Sequence, residues 1–194
     1  MRLRAAAVVS AWLAAALLGC AQEDDPQQQF IRAVRNDDRA TVERLLAAGV
    51  SPGTKDSDNP DARAALYHAA LFGYNDIVKL LLAKGADVDG APGAFVPTPL
   101  MGAASQGNAA TVTILIEAGA DIARRDPVSG TTALAEAAGR GSVEAVRALL
   151  QAGADPNVPL SDGRTPVCLA RKSEFDAVSE LLRQSGAAEP ASCP

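Results

Sequence analysis

The side chains that could take part in catalysis are few and scattered along this chain of 194 residues. Carboxylates occur in pairs as Glu23/Asp24 and Asp56/Asp58, and such pairs can act as general acid and general base. The single histidine, His68, has no obvious serine or cysteine nucleophile as a partner in the sequence. We expect solvated charges and a structural histidine, so the sequence predicts no enzyme. A small hydrolase that uses loop carboxylates is the remote alternative.

The three cysteines, Cys20, Cys168 and Cys193, lack the CxxC spacing that is typical of zinc sites. The sequence also has no P-loop, GxGxxG, GxSxG or HExxH motif, so we predict neither a metal nor a cofactor. Cys168 lies in a predicted helix and is either a buried thiol or, in an oxidising compartment, the disulfide partner of Cys193. Such a bond would close a loop of about 25 residues.

The composition of the chain argues against a nucleic-acid-binding protein and against a β-sandwich. Lys and Arg number 18 against 23 Asp and Glu, and a formal net charge of −5 argues against a nucleic-acid-binding surface. Hydrophobic residues make up 48% of the chain and aromatic residues only 4%, so Ala, Leu and Val must build the core. Small and unbranched core residues favour closely packed helices over a β-sandwich.

The chain begins with a segment that has the layout of an export signal. Arg2 and Arg4 precede the apolar run 5–18, which is shorter than the roughly 20 residues needed to span a bilayer. A basic start, a short apolar run and small residues after it are typical of a secretory signal peptide, here predicted over residues 1–19.

The end of that segment, Leu-Leu-Gly-Cys at 17–20, resembles a bacterial lipobox. The resemblance implies that Cys20 carries lipid such as palmitate, and Ala21 after it implies an anchor in the outer membrane, facing the periplasm. Residues 20–29 are then a lipidated cysteine and a polar tether. Two alternatives stay open: cleavage that releases a soluble periplasmic protein from Gln22, or a leader that remains as a membrane anchor.

A motif V-x-x-L-L recurs five times, with Ile116 in place of the last leucine in the third copy, and its valines are 36, 34, 34 and 32 residues apart. Positions i, i+3 and i+4 make one apolar stripe on a helix, and a glycine follows seven residues after each of the first four valines, where a helix C-cap is expected. A shorter helix with paired alanines precedes most of these stripes, and small residues let helices of adjacent repeats approach closely. The valines are Val42, Val78, Val112, Val146 and Val178.

These residues resemble the ankyrin repeat. The family's T-P-L-H-x-A signature appears at 98–103, and its G-A-D motif recurs at 85–87, 119–121 and 153–155. The resemblance implies an all-α solenoid of about five helix-turn-helix repeats joined by β-turn loops. The signature histidine is absent, so the resemblance also implies that its hydrogen bonds between repeats are missing. The predicted repeats are 28–61, 62–95, 96–129, 130–162 and 163–186 within a domain 30–186, followed by a tail 187–194.

In ankyrin stacks, by resemblance, partner proteins bind the loop tips and the exposed face of the short helices. Aromatic and arginine side chains on such a surface are typical of interface hot spots. The alternative is that Phe72 is core and the tyrosines fill gaps between helices. The predicted contact residues are Asp56, Asp58, Asp61, Tyr67, Tyr74, Phe95, Arg124 and Arg125.

The sequence therefore predicts a monomer that binds another protein of unknown identity. Two roles compete: support of a periplasmic enzyme, such as one in peroxide defence, and an immunity protein that neutralises a toxin delivered into the periplasm.

Overall fold

The computed structural model describes residues 25–55, 64–90, 97–188 and 193. Ten α-helices lie in this part of the chain, and the only β-pairing within it is an isolated bridge between Lys55 and Ala64. The all-α prediction is confirmed. The helices are α1 (Pro26–Arg35), α2 (Arg39–Ala47), α3 (Ala65–Phe72), α4 (Asn75–Ala83), α5 (Pro99–Gln106), α6 (Ala109–Glu117), α7 (Ala133–Arg140), α8 (Val143–Gln151), α9 (Pro166–Lys172) and α10 (Asp176–Gln184).

The helices form five antiparallel pairs stacked in one direction. The first helices of the pairs, α1, α3, α5, α7 and α9, pack side by side in an inner row, and their partners form an outer row. Each pair contacts mainly its neighbours, which is the arrangement of a solenoid. No described helix is both long enough and apolar enough to cross a bilayer.

The first helix begins earlier than the sequence indicated. α1 starts at Pro26, because the Asp25 side chain accepts a hydrogen bond from the Gln27 amide and proline suits the first helical position. Residues 26–29, which the sequence assigned to a tether, are therefore part of the first helix pair.

The apolar stripes of the outer helices form the core between the two rows. In α4, Val78 and Leu81 are fully buried, whereas Leu82 is only partly buried. On the inner helices the paired alanines, such as Ala103 and Ala104, are also fully buried. The prediction that small residues bring neighbouring inner helices together is confirmed.

The last pair follows a register one residue away from the one predicted. Val78 is the fourth residue of α4, but Val178 is the third residue of α10 and Ser179 is the fourth. Ser179 is buried, and Gly186 follows it by seven residues with φ +90°. The assignment of Val178 to the valine row is therefore wrong, and Ser179 occupies that position.

The turn between the two helices of a pair needs a left-handed residue. Gly73, Gly107 and Gly141 supply it in the three middle pairs, with φ between +72° and +76°. In the first and last pairs Asp37 and Glu174 take this conformation, with φ +57° and +59°. A side chain makes the left-handed region unfavourable by about 1–2 kcal/mol, so both terminal pairs carry strain that the middle pairs avoid.

In the middle of the stack, adjacent pairs are hydrogen-bonded through the residue that precedes the outer helix. The Asn108 side chain donates to the carbonyl oxygens of Leu71 (2.9 Å) and Ala70 (3.3 Å). The Ser142 hydroxyl donates to the Gly107 carbonyl at 3.3 Å. These bonds join neighbouring repeats without the signature histidine.

The C-terminal end is held in two places. Cys168, buried on α9, is joined by a disulfide to the exposed Cys193, with the Cα atoms 5.4 Å apart. The Asn157 side chain donates to the Gly186 carbonyl (3.1 Å) and accepts from the Ala188 amide (2.8 Å). These contacts fasten residues 186–188 and 193 to the last two helix pairs.

Candidate functional site

The exposed edge of the inner row is a surface that the stacking of the helix pairs does not bury. Phe72, Gln106 and Arg140 are the last residues of α3, α5 and α7, so they occupy equivalent positions in three successive pairs. All three are exposed. We call this row, together with Ser105 and Glu136 beside it, the inner-helix face.

An aromatic pair lies at one end of the inner-helix face. Phe72 is 48% exposed, and its ring lies 5.6 Å from that of the half-buried Tyr74, whose hydroxyl donates to the Arg35 carbonyl. Tyr67 is only 6% exposed and lies against Gly102, where a Cβ would come within 2.9 Å of its ring. Tyr67 thus fills a gap between helices, and Phe72 is a surface residue rather than core.

A depression of about 360 Å³ opens at the other end of the face, between α5, α7 and α9. Its acidic group is Glu136, which is half-buried. Burial raises the pKa of the Glu136 carboxyl, the nearby Asp126 raises it further, and Arg140 opposes both. We call this depression the Glu136 pocket. It is lined by Ser105, Thr131, Ala135, Glu136, Gly139, Arg140, Leu160 and Leu169.

Arg140 forms one rim of the Glu136 pocket and is fixed across a repeat boundary. Its Nε donates to the Ser105 carbonyl at 2.7 Å, and its Nη2 donates to the Gln106 side-chain oxygen at 3.2 Å. Two such bonds hold the guanidinium on α5, although it belongs to α7.

The loop before α7 contains both arginines that the sequence assigned to a partner. Arg125 donates from Nη2 to the Pro159 carbonyl (2.6 Å) and from Nε to the Gly130 carbonyl (3.1 Å), so it links two loop tips. Arg124 is half-buried. Asp126 is partly buried, which would raise its pKa, but hydrogen bonds from Ser129 and Val128 outweigh burial and lower it.

The structure does not bring all of the predicted contact residues together. Tyr74, Arg124 and Arg125 are accessible to different degrees, and Tyr67 is inside the stack. The remaining contact residues, Asp56, Asp58, Asp61 and Phe95, lie outside the described part of the chain, as does Cys20, the predicted lipidation site.

Sequence reasoning missed the residues that define the face. Glu136 is the fourth residue of α7, and the equivalent residues of α3, α5 and α9 are His68, Gly102 and Leu169. Aligning the repeats with one another would have shown a carboxylate where no other repeat has one. Val128 on the neighbouring loop tip is 81% exposed and was also missed.

No metal centre is apparent within residues 25–55, 64–90, 97–188 and 193. This part of the chain contains no group of three or more His, Cys, Asp or Glu side chains that could hold a metal ion. The His68 ring is buried and meets the Tyr67 ring edge-on at 5.8 Å.

Two overlapping stretches, residues 30–126 and 100–191, match the family model described as Ankyrin repeats (3 copies). The matched stretches include α2 to α10 entirely and most of α1. No curated protein matches the chain.

Proposed function

The chain belongs to the ankyrin-repeat family, and we propose that it binds another protein through the inner-helix face and the loop tips beside it. The observation that carries this proposal is the exposure of Phe72, a large apolar side chain that remains 48% exposed. The Val and Leu stripes are buried in the stack, whereas the exposed side chains on the inner row are available to a partner.

For location, we propose an exported bacterial lipoprotein, anchored by Cys20 to the outer membrane and facing the periplasm as a monomer. The Leu-Leu-Gly-Cys sequence supports this, and a disulfide between Cys168 and Cys193 suits an oxidising compartment. Labelling with a fatty-acid probe should mark the wild-type chain and not Cys20→Ser. If the wild-type protein is unlabelled and begins at Gln22, the protein is a soluble periplasmic form and not a lipoprotein.

As its role, we propose support of a periplasmic enzyme, such as one in peroxide defence. An immunity protein against a periplasmic toxin is the second candidate, because a net charge of −5 suits a basic partner surface. Ankyrin-repeat proteins are generally scaffolds, and we propose no catalytic activity of its own for this chain. The identity of the captured partner, enzyme or toxin, separates the two roles.

Photo-cross-linking in cells tests the binding surface directly. A benzoylphenylalanine in place of Phe72 should form an adduct with one partner protein, which mass spectrometry then identifies. The matched control replaces Lys79, an exposed residue of the outer helix α4. Adducts from position 79 but not from position 72 would move the binding site to the outer row and overturn the proposal.

A further inference from the structure

The Glu136 pocket combines a carboxylate with an apolar wall. Glu136 lies in the first turn of α7, and the neighbouring walls are formed by Ala135, Leu160 and Leu169. Ser105 and Thr131 add polar groups at the edge of the pocket. A site of this composition suits a ligand with a hydrocarbon stem and a charged or polar end.

The carboxylate has no internal partner to neutralise it. Among the described residues, none forms a hydrogen bond or an ion pair with Glu136, and the only cation that acts on it is Arg140, one turn further along α7. The Arg140 guanidinium is already bonded to Ser105 and Gln106. The negative charge is therefore half-buried and left with unused acceptor positions.

The fold does not require a carboxylate at this position. The equivalent residues of α3, α5 and α9 are His68, Gly102 and Leu169, none of them acidic. Burial and the charge of Asp126 both disfavour ionised Glu136, so the residue opposes stability at neutral pH. Groups that weaken a fold and line a pocket are typical of binding sites.

We propose that the Glu136 pocket receives a lysine or arginine side chain of the bound protein. The methylene groups of that side chain would lie along Ala135, Leu160 and Leu169, and its cationic end would pair with the Glu136 carboxylate. This inference rests on the proposed function and deepens it, because it names the chemistry of the partner residue.

The charged groups around Glu136 make the binding pH-dependent. Asp126 on the loop before α7 and Arg140 on α7 act on the carboxyl, whereas α5 and α9 present Ser105 and Leu169, which do not titrate. A cationic ligand binds the ionised carboxylate, so affinity falls when the pH drops through the raised pKa of Glu136. Glu136→Gln removes this dependence.

A titration with small mimics of the lysine and arginine side chains tests the pocket directly. Butylammonium and butylguanidinium are added to the full-length chain in nonionic detergent, at constant ionic strength, while methyl NMR signals are recorded. We expect saturable shifts in the millimolar range at Ala135, Leu160 and Leu169, and a loss of affinity of roughly tenfold in Glu136→Gln. The matched control, Glu144→Gln, alters an exposed carboxylate of α8 and should behave as wild type.

Butanol separates charge recognition from apolar binding. Equal shifts with butanol, equal binding by Glu136→Gln, or shifts spread over other acidic surfaces would each overturn the proposal.

Cross-linking from position 72 distinguishes this inference from the proposed function. If, at a limiting concentration of the partner, the Glu136→Gln variant forms the position-72 adduct as well as wild type does, then the chain binds a protein but the pocket proposal is overturned. If the pocket binds the mimics but the chain forms no adduct, the result would instead overturn the proposal that the occupant of the pocket comes from a protein partner.

Discussion

The side chain of Asn108 crosses a repeat boundary and donates a 2.9 Å hydrogen bond to the carbonyl oxygen of Leu71. Leu71 lies in the last turn of α3, where carbonyl groups have no partner within the helix. The same side-chain amide also donates to the Ala70 carbonyl at 3.3 Å, which already accepts a hydrogen bond from the Gly73 backbone amide.

We predict that Asn108→Ala lowers the free energy of unfolding by about 1–3 kcal/mol, because the Leu71 carbonyl at the end of α3 loses its hydrogen-bond donor. Chemical denaturation monitored by circular dichroism gives the difference. Thr113→Ala is the control, since its hydroxyl bonds within α6 and is exposed, and it should change little. Equal stability of Asn108→Ala and wild type would show that the boundary does not depend on this bond.

Ser179 should be a site where substitution stabilises the protein. Its hydroxyl is buried, and within the described structure it has no hydrogen-bond partner. Ser179→Val restores the residue type found at the equivalent position of the other outer helices and should add about 1 kcal/mol or more. Ser179→Ala removes the hydroxyl without added volume and controls for overpacking. A lower melting temperature in both variants would contradict the placement of Ser179 in the valine row.

Glu174→Gly should also stabilise the chain, by about 1 kcal/mol, because glycine adopts φ +59° without the steric conflict of a side chain. The reverse change, Gly141→Ala, should destabilise it, since a Cβ there meets the Phe175 ring at 2.8 Å in addition to the strained φ. Differential scanning calorimetry measures both. Opposite signs for the two variants are the expected result, and equal signs would contradict it.

Glu136→Gln should raise the melting temperature at neutral pH. The pKa of Glu136 lies above its ordinary value of 4.5, so the favourable contribution of the protonated group is lost as the pH rises through that pKa. The gain from glutamine should therefore shrink towards zero as the pH is lowered below about 4. Thermal melts across this range provide the measurement. A gain of the same size at every pH would exclude ionisation as its cause.

The Cys168–Cys193 disulfide should contribute roughly 3–4 kcal/mol on the chain-entropy account, because it closes a loop with a sequence separation of 25. Cys193→Ser should lose that contribution. Mass spectrometry of the denatured, unreduced chain checks the bond itself. Two free thiols at positions 168 and 193 would end this prediction.

Most of the fold follows from the spacing of a few residue types. Valine and leucine positions specify the outer helices, and the left-handed glycines specify where most of the helices end, although Asp37 and Glu174 take that place after α1 and α9. The last pair shows the limit of this reasoning. Val178 matches the V-x-x-L-L motif, but it lies one residue before the position that the valines occupy in the other outer helices. Gly186, seven residues after Ser179, is the better marker, because the left-handed turn must follow the buried position at a fixed distance.

The site was less accessible to sequence reasoning, since it depends on contacts between repeats. Arg125 was assigned to a partner, but its bond to the Pro159 carbonyl exists only because two loop tips lie side by side. Glu136 looks like an ordinary charged residue of a helix surface. Its burial appears only when Leu160, on the loop before α9, and Leu169, on α9, lie beside it.

The strained turns at Asp37 and Glu174 have a consequence for how the stack opens. In a linear array each pair is supported only by its neighbours, so transient local unfolding begins at the two ends. Two walls of the Glu136 pocket belong to the end of the stack: Leu160 lies on the loop that leads to α9, and Leu169 lies on α9. Phe72, in contrast, lies on the second pair. Local unfolding of the final pair therefore removes two walls of the Glu136 pocket, whereas the aromatic pair Phe72 and Tyr74 keeps its structure. The two ends of the inner-helix face thus unfold independently of each other.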